Sequence, residues 1–271
     1  MNRRAAPDLA RAAVVIAERG CALGHPLVVL SETTSTSDEA KHAARGGAPH
    51  GSTWVAEAQT AGRGRQGRAW VSSPGENLLF SVLWRLPCPL ERLPLLSLAA
   101  GVAVCEASRA AATGADIRLK WPNDVVVVRN RGGRIALEKL AGILVETSMS
   151  GRKVEGVVFG IGINVLTREF PPDLEGRATS LARIASVPFD RAEILADVLV
   201  ALDRAASLVA ARGLGLLRAR LDEWDALRGS QVRSELGAGE AVRIDDAGRL
   251  VVRDAVGAES AWGAGEVHLE R

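Results

Sequence analysis

Tyrosine is absent from this chain of 271 residues, and only four Phe and six Trp supply its aromatic surface. Proteins that bind single-stranded nucleic acid rely on repeated aromatic platforms and a broad basic groove. Neither is present here, because 34 Lys and Arg against 32 Asp and Glu leave a net charge of only +2. A balance so close to neutral also argues against a general attraction to anionic membranes, so any anion binding must be local. Cysteine is equally scarce. Cys21, Cys88 and Cys105 form neither an even set nor a CxxC pair, which excludes a disulfide framework or a zinc site and points to a reducing compartment. Arg, Glu or Pro interrupts every apolar stretch well short of the roughly 20 residues of a membrane helix. The run at 12–17 meets Glu18 and Arg19 too soon for a signal peptide. A cytoplasmic protein is expected.

With 47% hydrophobic and 24% charged residues, the chain has the composition of one large or two unequal globular domains. Residues 7–19 suit one short helix, with Pro7 near its start and Gly20 beyond its end. Only 25 residues precede Pro26, too few for a three-helix DNA reader with its wing, so no DNA binding is expected. Short β runs rich in Val, Ile and Leu follow at 26–30, 52–57, 77–86, 117–121, 125–128, 140–146 and 154–163. Residues 93–112 are helical by composition. Residues 191–212 place Ile194, Leu195, Val198, Leu199 and Leu202 at amphipathic helical spacing. This mixture, without a strict βαβ rhythm, predicts an α+β domain around one mixed sheet. Beyond Trp224 the runs shorten to 232–234, 241–244, 250–253, 260–262 and 267–269, with a turn at Asp246-Ala247-Gly248. A boundary near Leu227 therefore separates a tail small enough to pack on the larger part.

Four segments carry chemistry. In Gln59-Thr60-Ala61-Gly62-Arg63-Gly64-Arg65-Gln66-Gly67-Arg68-Ala69-Trp70, glycines let backbone amides approach a ligand while guanidiniums offer forked donors to carboxylate or phosphate. Gly62, Gly64 and Gly67 satisfy GxGxxG, yet Ser72-Ser73-Pro74-Gly75 follows and cannot open the helix of a dinucleotide site. A solvated basic loop or an RNA-binding segment is the alternative. In Lys120-Trp121-Pro122-Asn123-Asp124, Pro122 ends or edges a strand and presents a carboxylate suited to Mg²⁺ held with nucleotide phosphates, or makes a plain turn. In Lys139-Leu140-Ala141-Gly142, a lysine at a strand mouth can neutralise a reacting phosphate while Gly142 leaves room for a ligand. Gly160-Ile161-Gly162-Ile163-Asn164 repeats that logic with an amide at its end. Earlier, Ser35, Thr36 and Ser37 either cap a helix starting near Asp38 or hold a polar ligand head.

In order and wording these segments resemble the biotin protein ligase family across nearly the whole chain. The resemblance implies a catalytic domain at 26–226 related in fold to class II aminoacyl-tRNA synthetases, a short extension at 1–25, and an SH3-like domain at 227–271. It further implies ATP-dependent conversion of biotin to biotinyl-5'-AMP, with transfer to a lysine of a carboxyl carrier protein. By position, Ser35, Thr36, Ser37, Gln59, Arg63, Gly64, Arg65, Lys139 and Gly142 would hold biotin, with Arg65 and Lys139 catalytic. Arg63, Arg68, Trp70, Asn123, Lys139 and Asn164 would hold ATP or the adenylate, with Trp70 on the adenine, and Asp124 would hold Mg²⁺. The loop would close over the adenylate and keep water out. Two departures stand out. Position 37 is Ser where the family commonly has Asn, and the C-terminal part is short for its domain. A lipoate or octanoate ligase on a related fold is the nearest alternative, but it gives no reason for the hydroxyls at 35–37.

Overall fold

Val, Ile and Leu gather in runs too short for helices, and in the computed structural model, which describes residues 7–150 and 153–270, those runs pair into two sheets. The larger holds β1 (Leu27–Leu30), β2 (Thr53–Ala56), β3 (Leu78–Trp84), β4 (Ile117–Lys120), β5 (Asp124–Arg131), β6 (Arg134–Ser150) and β7 (Lys153–Ile163). Their order is β1-β2-β3-β7-β6-β5-β4. Only β1 and β2 run parallel; the other neighbours are antiparallel, giving the mixed sheet that the sequence predicts.

Helix α4 (Leu96–Ala111) packs on this sheet, and α6 (Arg191–Arg212) packs on α4. The ends of α6 fall where the sequence places them. Asp190 caps its first turn by accepting the N–H groups of Ala192 and Glu193, and Gly213 closes it at φ +68°. Leu195, Val198, Leu199 and Leu202 are fully buried, and each such burial stabilises the fold by about 1.5–3 kcal/mol. Gly101 lets α4 settle against β4, since a Cβ there would lie 2.3 Å from Leu119 Cδ1.

Two expectations need correction. Leu90–Ala111 forms a helical segment of 22 residues with mean hydropathy 1.3, long and apolar enough by composition to cross a membrane. Glu91, Arg92 and Pro94 interrupt its sequence without ending it, because a 3-10 turn at Leu90–Leu95 carries the chain past Pro94 into α4. Leu95, Leu96, Leu98 and Val102 belong to the protein core. The single helix expected at 7–19 is also two, α1 (Pro7–Ala10) and α2 (Ala12–Glu18), which turn at Arg11. Asp8 bonds to Arg191 of α6, while Arg11 reaches Asp190 and Glu193, so the turn is held by ion pairs on both sides.

At the C-terminal end, β8 (Gln231–Ser234), β9 (Gly237–Ile244), β10 (Leu250–Arg253), β11 (Glu259–Trp262) and β12 (His268–Leu269) form a five-stranded antiparallel sheet. This agrees with the expected SH3-like domain despite its short sequence. The sheet is docked, not detached. Trp121 Nε1 donates to Gly248 O at 2.9 Å, and Arg218 of α7 (Arg218–Trp224) pairs with Asp246 at 2.6 Å. Val232, Ile244, Leu250 and Trp262 join the same continuous core as α4 and α6.

Candidate active site

The four chemical segments and the hydroxyl run meet in one cleft of about 1240 Å³. One end is built from the start of α3 (Thr36–Arg45), which begins two residues before the expected Asp38. Ser35 occupies the N-cap position, but its side chain makes no cap hydrogen bond. The hydroxyls of the next two residues turn to the sheet instead. Thr36 Oγ1 lies 2.8 Å and Ser37 Oγ 3.1 Å from Ser81 Oγ, and the Thr36 amide donates to Gln59 Oε1 at 2.8 Å. Ser35, Thr36, Ser37 and Ser81 are all buried, and the last three hydroxyls hydrogen-bond through Ser81. Ser81 was not singled out from the sequence. Its signal was a lone hydroxyl in Leu78-Leu79-Phe80-Ser81-Val82-Leu83-Trp84, where every residue is buried. Gly160 lies against this group: a Cβ on it would stand 2.5 Å from Ser37 Oγ.

The Gly/Arg segment folds into a small closed loop. Gly64 N–H donates to Arg68 O at 2.7 Å, Trp70 N–H donates to Gly62 O at 2.9 Å, and Gln66 takes a left-handed φ of 57° between them. Its three arginines point to three different elements. Arg63 pairs with Asp38 on α3, Arg65 donates to Asn123 Oδ1 at 3.2 Å, and Arg68 pairs with Glu266, in the connection between β11 and β12, at 2.7 Å. The hydrogen bond from Arg63 holds the Asp38 carboxyl below its usual range. Trp70 then enters the cleft, its indole close over β6 and β7. A Cβ at Gly162 would fall 2.6 Å from Trp70 Cε2, and one at Gly142 2.9 Å from Cζ3, so the two glycines make room for the ring. Trp70 Nε1 is buried without a hydrogen-bond partner.

Lys139 and Gly142 both line the cleft although they are three residues apart, an odd spacing that regular pleating would place on opposite faces. A bulge resolves this. Ala141 pairs with Val125 and Lys139 with Val126, so Leu140 is the extra residue and the pleat is reset around it. The Lys139 ammonium then lies 5.5 Å from the centre of the Trp70 ring, a cation–π distance, and 2.8 Å from Asp124 Oδ1. That oxygen is buried and lacks an aligned hydrogen bond despite the short separation. The main chain of Lys139 is fixed on both sides: its N–H donates to Arg177 O at 2.8 Å, and its carbonyl accepts from Thr179 N–H at 2.9 Å. Asn164 extends this brace, its amide donating to Thr179 O at 3.0 Å. Asn123 is likewise tied down, with Nδ2 on Ile143 O at 2.8 Å.

Lys120 completes the cationic side. Burial pulls its ammonium below the usual lysine value, opposed by Asp124 and Glu266 and reinforced by Lys139 and Arg68. Among the described residues no three His, Cys, Asp or Glu side chains gather as a metal cage. One carboxylate at the edge of a cationic cleft, ion-paired here with Lys139, still fits Mg²⁺ that is held largely by substrate phosphates.

A fold with a mixed seven-stranded sheet, a docked five-stranded sheet and this lysine- and arginine-lined cleft has close counterparts. The chain belongs to the biotin/lipoate A/B protein ligase family, whose model matches residues 29–164. The biotin--[acetyl-CoA-carboxylase] ligase of Mycobacterium tuberculosis is 37% identical over 254 residues, which cover 90% of this chain and 89% of that protein. The bifunctional ligase/repressor BirA of Bacillus spizizenii is 32% identical over 248 residues, covering 89% of this chain and 74% of that protein. Among solved structures, the biotin protein ligase of Aquifex aeolicus in complex with biotin and ATP superimposes with a TM-score of 0.75 at 31% identity. That match covers 90% of this chain and 98% of that one.

Proposed function

We infer that this protein is an ATP-dependent, AMP-forming biotin ligase that acts in the cytoplasm and uses a biotin carboxyl carrier protein as acceptor. The observation that carries the reading is the position of Lys139. The bulge at Leu140 brings its ammonium into the same cleft as the hydroxyl pocket and the arginine loop. A relative named as a biotin ligase and a fold shared with a biotin and ATP complex point the same way.

In the first step a biotin carboxylate oxygen bonds to the α-phosphorus of ATP, and the bond from that phosphorus to the β-bridging oxygen breaks, releasing pyrophosphate. Two anions must approach, so fixed cations lower the barrier. Lys139 contacts the carboxylate and the α-phosphate, while Arg63, Arg65 and Arg68 supply further positive charge from the loop. Asp124 would hold Mg²⁺ together with ATP oxygens, and the ion when bound screens the phosphate charge. In the second step a carrier lysine amine attacks the acyl carbon, loses its proton, and AMP leaves. Ser35, Thr36, Ser37, Gln59 and Gly64 hold the biotin head. Gly142 gives its tail room, Trp70 stacks on adenine, and Asn123 and Asn164 keep Arg65 and Lys139 in place on the nucleotide side. The catalytic domain is read as 26–226, the SH3-like domain as 227–271, and 1–25 as an extension. We assign no DNA or membrane partner.

The test is exchange of labelled pyrophosphate into ATP with biotin, lipoate and octanoate in parallel. Exchange with biotin alone supports the reading. Exchange only with the other acids would move the chain to the lipoate branch of its family, and none at all would overturn the adenylation step.

A further inference from the structure

The chain leaves the large sheet at Glu57, forms the Gly/Arg loop, and returns at Asn77. Both ends of that excursion are held by one side chain from behind the cleft. Arg191, the first residue of α6, is fully buried and makes five hydrogen bonds through its guanidinium. Nη1 donates to Glu57 Oε2 at 2.7 Å and to Asn77 O at 3.2 Å, and Nη2 donates to Glu57 Oε1 at 3.3 Å. The remaining donors go to the N-terminal helix. Nε reaches Asp8 Oδ2 at 2.9 Å and Nη2 reaches Asp8 Oδ1 at 2.8 Å. All five N–H groups of the fork are therefore used.

The same neck is closed by Gly75 N–H on Glu57 O at 3.0 Å. Asn77 passes the constraint onward, because its Oδ1 accepts from Val165 N–H at 2.8 Å and its Nδ2 donates to Thr167 Oγ1 at 2.9 Å. Gln59 lies two residues beyond Glu57, and Val165 directly follows Asn164. One guanidinium thus anchors the stems of the loop and the strand end that braces Lys139, without reaching the cleft itself.

We propose that Arg191 is a positioning residue for the loop, acting through Glu57 and Asn77, and that Asp8 of the N-terminal segment is the counter-charge that keeps its fork oriented. The segment around α1 is then a working part of the catalytic unit. A buried guanidinium between two carboxylates loses its preferred geometry when either partner is neutralised. The loop it anchors would lose its closed position next. This inference rests on the reading that the loop closes over an adenylate.

The experiment compares the parent with Asp8→Asn, Arg191→Lys and Asp8→Glu, using full-length protein. Three quantities are read: KM and kcat for biotin-dependent pyrophosphate exchange, release of AMP to solvent without acceptor, and trypsin cleavage at Arg65 and Arg68 followed by mass spectrometry. Asp8→Asn and Arg191→Lys are expected to raise the biotin KM and the AMP leak by roughly tenfold, as displaced groups typically do. They should also expose Arg65 and Arg68 to trypsin, and Asp8→Glu should restore most of the loss. Variants that melt earlier yet keep parental KM, leak and cleavage would reduce Arg191 to a structural role and overturn the proposal. If Asp8→Asn failed to fold, Arg191→Lys and Asp8→Glu would carry the same comparison. A parent inert with biotin would sink the proposed function instead, and the cleavage rates of unliganded proteins would still decide whether Arg191 holds the loop.

Discussion

Arg68 in the loop and Glu266, which links two strands of the C-terminal sheet, are 198 positions apart and meet at 2.7 Å. Both side chains are about half exposed, so the pair adds little to global stability, on the order of 0–1 kcal/mol. Its effect is local, because it joins the loop to a different sheet. Glu266→Gln should leave the melting temperature almost unchanged while raising AMP leakage about two- to fivefold, the range that up to ~1 kcal/mol allows. A calorimetric scan beside a leakage assay measures both; an unchanged leak would show that the contact does not help hold the loop.

Lys139 is the most consequential single side chain in the proposed chemistry. Lys139→Gln should lower biotin-dependent pyrophosphate exchange by about 10²–10³-fold, the usual effect of removing one fixed group that stabilises developing charge. Its side chain is 37% exposed, so the variant should fold, as near-parental circular dichroism would confirm. Retained exchange would remove Lys139 from the mechanism.

Gly162 has no space for a methyl group under Trp70. Gly162→Ala should push the indole off β7, visible as a shift in tryptophan emission, and raise the ATP KM. Gly101→Ala offers a control far from the cleft. Its methyl would strike Leu119, and overpacking of this kind costs about 1–3 kcal/mol. Thermal melting should report that cost with the ATP KM unchanged.

Asp225 is buried between α7 and the C-terminal sheet, and burial raises its carboxyl from 3.8 to about 6 against the pull of the Leu227 and Arg228 amides and the Arg228 charge. A raised carboxyl binds its proton more tightly in the folded state. Its contribution is thus favourable below the unfolded value and is lost as pH rises from about 4 through about 6. The interval corresponds to about 3 kcal/mol. Asp225→Asn should accordingly flatten the stability profile between pH 4 and 7, which urea titrations at several pH values would reveal. An equally steep variant profile would exclude Asp225 as its source.

Most of the architecture was legible because local rules governed it. Asp190 and Gly213 mark the ends of α6 by ordinary capping, and the Val-rich runs became strands in the large sheet. Local rules failed where distant side chains decided. The break at Arg11 depends on carboxylates 179 and 182 positions away, and Leu90–Ala111 runs longer than its charges and proline suggest because a 3-10 turn carries the chain past Pro94. In the site, the glycines, arginines and Lys139 were visible as motifs. Ser81, Asp38 and Glu266 were not, since each gains meaning only from a partner brought close by folding.

The bulge at Leu140 also places a rule of arithmetic on this segment. Because side chains alternate along a strand, deleting Leu140 would only remove the bulge and leave Lys139 and Gly142 two residues apart on one face, whereas a further residue inserted between them would turn the ammonium toward the buried face. Two inserted residues would restore the facing but move the lysine by about a full pleat, near 7 Å, away from Trp70 and Asp124. The segment can thus lose its extra residue but not gain another, whereas the turn at Gly132-Gly133, where β5 meets β6, can change length without altering which way Lys139 points.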